Sequence, residues 1–406
     1  VFLVLLPTKT QNMYDFDKII PREGTNSIKY DLRDFIFKNK EVLPMWVADM
    51  DFETPDFIRD AVKARAEHEI YGYTFRSDSY YQANIDWFKK QYSWEIEKDW
   101  IVFSPGIVPA LNMAVLALTN RGDKIIVQPP VYFPFFTAVS CHNRELVNNE
   151  LIREDGTYSM NFDLLEEQAA DARMLILCNP HNPVGRSWRR EELEKLADIC
   201  VRHNLLVISD EIHADLVLPG HKHTPFASVH PGLKSSLLTM HAASKTFNLA
   251  GLATSSVIIE DETLRNQFKQ FVDFLHVGMG NIFGAVATEA AFREGEEWHK
   301  QLLHYISENI TYFTNQLTEK LPQLKVFKPE ATYMVWLDFN AFGLDDEALK
   351  NFVIEETGLG LNAGIDFGSG GSGFMRINLA CPRSIVESAA EKIIYSFSEL
   401  LNKKHV

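Results

Sequence analysis

The chain of 406 residues has four cysteines, Cys141, Cys178, Cys200 and Cys381, and no two of them form a Cys-x-x-Cys pair. Their scatter excludes a zinc ribbon and offers no disulfide framework, so they read as reduced core residues of a cytoplasmic protein. His221-Lys-His223 lacks the acidic or cysteine partners a metal needs and reads as a solvated loop, so no metal site is expected. Positive charge is scarce as well, with Lys+Arg 40 against Asp+Glu 55 and a net charge of -15. Such a balance argues against nucleic acid or an anionic membrane as partner, while leaving room for one local basic pocket. Long apolar runs are missing: Val1–Leu6 is six residues long, far short of the ~20 of a span, and has neither a basic leader nor a small-residue cleavage site. Met13 looks like a natural start, and residues 1–12 are expected to be an extension outside the fold. Repeats, low-complexity tracts and flexible linkers are absent too.

What remains is ordinary globular composition, 46% apolar and 23% charged, in a chain too long for one compact core. Two domains, or a large α/β domain with an appendage, follow. Ile101-Val-Phe-Ser-Pro-Gly-Ile-Val-Pro-Ala110 predicts a strand, a tight turn and a helix to about residue 119. Further strand patterns stand at residues 124–128, 174–178, 205–209, 236–240 and 254–259, several of them uninterrupted apolar runs with helical patterns such as 191–203 between them. That alternation argues for a mostly parallel sheet covered on both faces, which binds ligands at the carboxyl ends of its strands. Thr54-Pro55 suggests an N-cap and first-turn proline for a helix to about residue 68. Residues 262–322 look helical and are expected to include a long helix shared by two lobes; strands at 324–327, 332–337 and 373–378 then precede a helix with Ile385, Ala389, Ile393 and Phe397 on one stripe, a smaller α+β unit.

The chemistry gathers around Ser244-Lys-Thr-Phe-Asn248, where small and apolar residues surround one lysine. Confinement lowers the pKa of Lys245 and makes its amine a nucleophile or base, as a Schiff base with pyridoxal phosphate requires; a plain surface lysine is the alternative. The residues at the other strand ends can each serve one part of that cofactor. Asp210 is a carboxylate in a costly place unless it meets a cation such as a protonated pyridine nitrogen, or else a structural arginine. Asn182, within paired Asn-Pro turns, can present its amide to a phenolate oxygen, or simply form a turn. Tyr132 can stack on a ring or sit in the core. Gly106 opens a helix whose first N–H groups suit an anion, although a plain connection looks the same. Arg376, central in a strand, asks for an anion, either a substrate carboxylate or an internal carboxylate. The loop Leu43–Phe52 mixes large apolar with acidic residues and is expected to line something.

Trp46-Val-Ala-Asp-Met-Asp-Phe52, Tyr71-Gly-Tyr-Thr74, Cys178-Asn-Pro-His-Asn-Pro-Val-Gly-Arg186, Ser209-Asp-Glu-Ile-His213, Ser244-Lys-Thr-Phe-Asn-Leu-Ala-Gly-Leu252 and Gly373-Phe-Met-Arg-Ile-Asn378 together resemble the MalY/PatB group of cystathionine β-lyases and C–S lyases, within the fold type I pyridoxal-phosphate enzymes of the aspartate aminotransferase superfamily. The resemblance runs from about residue 14 to the C-terminus. It implies an α/β fold: residues 13–53 join a small domain at 291–406, and a large cofactor-binding domain at 54–290 holds a mostly parallel seven-stranded sheet. It further implies Lys245, Tyr132 and Asp210 as catalytic residues, with Asn182 and His213 near the ring oxygen. Phosphate contacts would come from Gly106, Ile107, Ser244 and Tyr73 of a second subunit, and the substrate carboxylate would meet Arg376, Asn182 and Ala48. A homodimer with shared active sites follows.

Two departures matter. Ala242 stands where the family has a hydroxyl, and no arginine occurs in the nine residues after Lys245, so phosphate must lean on backbone amides, Ser244 and Tyr73. The expected reaction is β-elimination on L-cystathionine or another S-substituted cysteine. An aminotransferase on the same scaffold, and a regulatory protein-binding role, are the alternatives.

Overall fold

In Met174–Cys178 and Leu206–Asp210 every residue is buried, so neither run has a face for water. Strands of this kind sit inside a parallel sheet with helices on both sides. The computed structural model, which describes residues 14–404 apart from residue 155, places them at the centre of a seven-stranded sheet. In chain order the strands are β1 (Ile101–Ser104), β2 (Lys124–Val127), β3 (Glu145–Asn148), β4 (Met174–Cys178), β5 (Leu206–Asp210), β6 (Leu237–His241) and β7 (Ser255–Ile258). They lie side by side as β1-β7-β6-β5-β4-β2-β3. β7 runs antiparallel to both neighbours, while the other pairs are parallel. Alternate residues feed two separate cores, Ile125 and Val127 on one face and Ile126 on the other. β3 escaped the sequence pattern because it is an edge strand whose Glu145 and Asn148 are exposed.

Helices α1 (Asp56–Ala66), α2 (Asp78–Tyr92), α3 (Ile107–Leu118) and α4 (Arg190–Arg202) follow in the first half of the chain, and α5 (Ala243–Thr246) is a single helical turn. Pro55 rather than Thr54 takes the N-cap of α1, and no side chain caps it. The long helix expected across residues 262–322 is instead three: α6 (Glu262–Phe274), α7 (Ile282–Glu294) and α8 (Glu296–Lys320). Asn281 restarts the chain by capping α7 at Gly284 N–H, and Gly295 separates α7 from α8 where a Cβ would come within 2.3 Å of Phe247.

A second sheet joins β8 (Lys325–Phe327), β9 (Met334–Asp338), β10 (Asn362–Ala363) and β11 (Phe374–Asn378) in the order β8-β9-β11-β10. Arg376 stands mid-strand opposite Trp336 and Asn362. The last helix, α9 (Arg383–Lys404), buries Ala389, Ile393 and Phe397 as its stripe predicts. They share a core with Val335 and Ile377, Phe247, Met45 and Met50, so this core reaches both the lysine turn and the N-terminal loop. Leu43–Pro44 pairs in parallel with Leu359–Gly360 and delivers the following loop to the junction of the two sheets.

Of the cysteines, Cys141 is exposed and is not a core residue, unlike the other three. His223 is no part of a solvated loop: it is buried, with Nε2 bonded to Glu211 Oε2 at 2.8 Å. The expected extension at residues 1–12 lies outside the described residues. Among those described, no helix is long and apolar enough to cross a membrane.

Candidate active site

The carboxyl ends of β4, β5 and β6 open onto a cavity of about 200 Å³. Its walls include Ala48, Gly106, Ile107, Tyr132, Asn182, Asp210, His213, Ser244 and Lys245, so nine of the residues singled out from the sequence meet at one place. Arg376 adjoins them through a 2.9 Å bond from Nη1 to Asn182 Oδ1. Tyr73 does not join them: it is 96% exposed on the surface.

Lys245 follows β6 on the turn α5, and its Nζ donates to Ala48 O at 2.7 Å. Burial pulls its ammonium down to about 8, with nearby Asp49 opposing the shift. Asp210 ends β5 and is 4% exposed. Burial pushes its carboxyl up to about 7, against one bond accepted from Ile212 N–H at 3.1 Å. His213 is driven down to about 3 by burial and then by Lys245 and Arg376, so it is a neutral imidazole, and its Nδ1 has no hydrogen-bond partner among the described residues.

Arg376 spends its donors on neutral oxygens: Asn182 Oδ1, Trp46 O at 2.9 Å and Asn362 Oδ1 at 2.6 Å. Burial lowers it to about 10, Phe367 stacks under it at 4.9 Å, and its Nε has no hydrogen-bond partner among the described residues. A buried guanidinium without a carboxylate is an open demand for an anion.

These residues fit pyridoxal phosphate. Asp210 has no ion-pair partner among the described residues and would accept a ring-nitrogen proton; Lys245 is an amine kept close to neutrality; Tyr132 is a partly buried aromatic wall. At the N-terminus of α3, Gly106 has φ +150°, a conformation side chains avoid, and the first turn holds no acidic residue, leaving N–H groups of Ile107 and Val108 for an anion. Ser244 and Thr254 line the same cavity. Thr254, nine residues after Lys245, was not anticipated.

A loop from Trp46 to Asp51 holds the amine and the guanidinium together. Asn248 exchanges two bonds with Met50, at 2.8 and 3.0 Å, and Asn378 donates to Val47 O at 2.7 Å and Asp49 O at 2.6 Å. Beneath the loop, Arg22 and Lys29 pair with Asp49 and Asp51, Lys29 being 1% exposed. This explains the dense mixture of apolar and acidic residues in that stretch.

Sequence reasoning missed three further features. Asn362 reaches Arg376 from a two-residue strand with no pattern of its own. Tyr333 donates its hydroxyl to Ala48 O at 3.1 Å, yet in an apolar strand run it reads as core. Asp215 is buried and collects bonds from Trp87 Nε1 at 2.9 Å, Thr246 Oγ1 at 2.6 Å and the Tyr92 hydroxyl, which anchors the residue next to Lys245. Burial pushes that carboxyl up, yet His241 beside it and the donated hydrogen bonds hold it well below the usual range.

The profile of the family "Aminotransferase class I and II" matches residues 40–393. Among characterised proteins, cystathionine beta-lyase PatB of Bacillus subtilis is 42% identical over 93% of this chain and 98% of its own. Among solved structures, cystalysin from Treponema denticola, which contains pyridoxal 5'-phosphate, superposes with a TM-score of 0.93 at 36% identity, covering 96% of this chain and 100% of that one. The pyridoxal-phosphate-bound C–S lyase from Staphylococcus hominis gives 0.90 at 34% identity, covering 96% and 99%.

Proposed function

The chain belongs to the class I and II aminotransferase family, and from that premise we propose that it is a pyridoxal-phosphate-dependent carbon–sulfur lyase that eliminates the thiol from L-cystathionine or another S-substituted L-cysteine. Arg376 and Asn182 hold the substrate carboxylate, with the Trp46 carbonyl fixing the guanidinium plane. Lys245 takes the Cα proton: an amine lowered to about 8 is a usable base near neutral pH. Asp210 would keep the ring nitrogen protonated, and the N–H groups of Ile107 and Val108 with Ser244 and Thr254 would receive the phosphate. Pyridoxal phosphate, when bound, supplies the sink for the electron pair released at Cα. The Cβ–S bond then breaks, the thiolate departs, and the 2-aminoacrylate left behind is hydrolysed to pyruvate and ammonia.

One observation favours elimination over transamination of a dicarboxylate. The cavity wall carries no arginine, and Lys245 is its sole lysine among the described residues, so a second carboxylate finds no grip beyond Arg376. Incubated with L-cystathionine and no 2-oxo acid, the purified protein should form pyruvate and thiol in equal amounts. Faster acceptor-dependent amino transfer from aspartate or glutamate would reverse the assignment.

The active unit is a homodimer in this reading. Ile70, Tyr71, Tyr73 and Phe75 are 69%, 58%, 96% and 90% exposed, an apolar segment that a second copy would cover while Tyr73 reaches its phosphate end. Tyr73→Phe should retain the cofactor less well. Mixed with Lys245→Ala it should regain activity, because one of the two sites in a mixed dimer has both native residues; subunit exchange without recovery would exclude sharing.

A further inference from the structure

The carbonyl oxygen of Ala48 takes two donors, Lys245 Nζ at 2.7 Å and the Tyr333 hydroxyl at 3.1 Å. A carbonyl has two lone pairs, so both bonds can form together. They cannot both last through a reaction cycle. With Lys245 as the lysine that anchors pyridoxal phosphate, the Schiff-base role expected from the sequence, its amine leaves the carbonyl to hold the cofactor and returns when a substrate amine takes its place. A buried carbonyl stripped of its donor bears an uncompensated desolvation cost. The tyrosine is well placed to prevent this: it is fully buried, its own carbonyl accepts from Leu379 N–H at 2.9 Å, and its ring meets His213 edge-on at 6.2 Å.

We propose that Tyr333 is a positioning residue that sets how readily Lys245 exchanges with an incoming amine. By keeping Ala48 O bonded, it stabilises the arrangement in which the lysine is away from the carbonyl. Without the hydroxyl that arrangement leaves the oxygen bare, whereas the arrangement with a free lysine amine keeps the lysine as donor. Losing the hydroxyl therefore weights the balance toward the free amine. The inference rests on Lys245 holding the cofactor.

The test is an equilibrium titration of the holoenzyme with 2-methylalanine, an amino acid with no Cα hydrogen to lose, followed by the cofactor's absorbance. Tyr333→Phe should bind it about tenfold more tightly than wild type, the worth of one hydrogen bond. General loosening of the core would weaken binding, so a gain singles out the hydroxyl. Tyr333→Leu, which also lacks it, should shift the same way by a smaller margin. Unchanged or weaker binding in both variants overturns the inference. Borohydride reduction of the wild type separates the two ideas: a pyridoxyl adduct on another lysine defeats the role of Lys245, while an adduct on Lys245 without tighter binding in the variants defeats that of Tyr333 alone.

Discussion

Lys245→Ala should eliminate thiol from cystathionine about 10⁴-fold more slowly than wild type, the upper range for removing a positioned acid–base group, while still binding pyridoxal phosphate reversibly. The loss is large because in the proposed mechanism one side chain both anchors the cofactor and takes the Cα proton. The surrounding groups survive the substitution: Asp210 on β5, the N–H groups at the start of α3 and Tyr132 belong to other elements. Single-turnover kinetics alongside cofactor titration check this, and near-normal turnover would remove Lys245 from the chemistry. Adding a small primary amine should restore part of the rate in the variant, because the missing function is an amine at a known place.

Arg376→Ala should lower kcat/KM for every amino-acid substrate by about 2 to 4 kcal/mol, roughly 30- to 700-fold, as expected for truncating one partner of a buried charge pair. The guanidinium is 3% exposed and its donors rest on neutral oxygens until a carboxylate arrives. Arg376→Lys should recover only part, since a point charge cannot reproduce the planar fork held by Asn182, Asn362 and Trp46 O. Steady-state kinetics on substrates with different S-substituents decide the matter. A loss confined to one substituent would place the arginine at the leaving-group end instead.

Much of the site could be read from the chain because its residues stand at strand ends, and buried parallel strands announce themselves as apolar runs. Asp210 directly follows such a run, and Asn182 and Lys245 come within a few residues of the end of theirs. Arg376 was conspicuous for the opposite reason, a charge inside an apolar strand. The unread parts depend on contacts between distant segments: Tyr333 with Ala48, Asn362 with Arg376, and Asp215 with Trp87 and Thr246. Local pattern holds no trace of such pairings. The break of the 262–322 region into three helices had local cause at Asn281 and Gly295, but glycine in a helical pattern is common enough that packing against Phe247 had to decide it.

The loop from Trp46 to Asp51 has one more consequence. It is bonded to Lys245 through the Ala48 carbonyl and to Arg376 through the Trp46 carbonyl, and buried ion pairs fix it from below. A pyridine ring is flat and has no hand of its own. Handedness must therefore come from the polypeptide, and in the proposed mechanism this loop contributes it by tying the base, Lys245, to the carboxylate grip, Arg376. With base and grip tied to one loop, the two mirror images of an amino acid held at the same guanidinium must offer their Cα hydrogens to Lys245 from different sides.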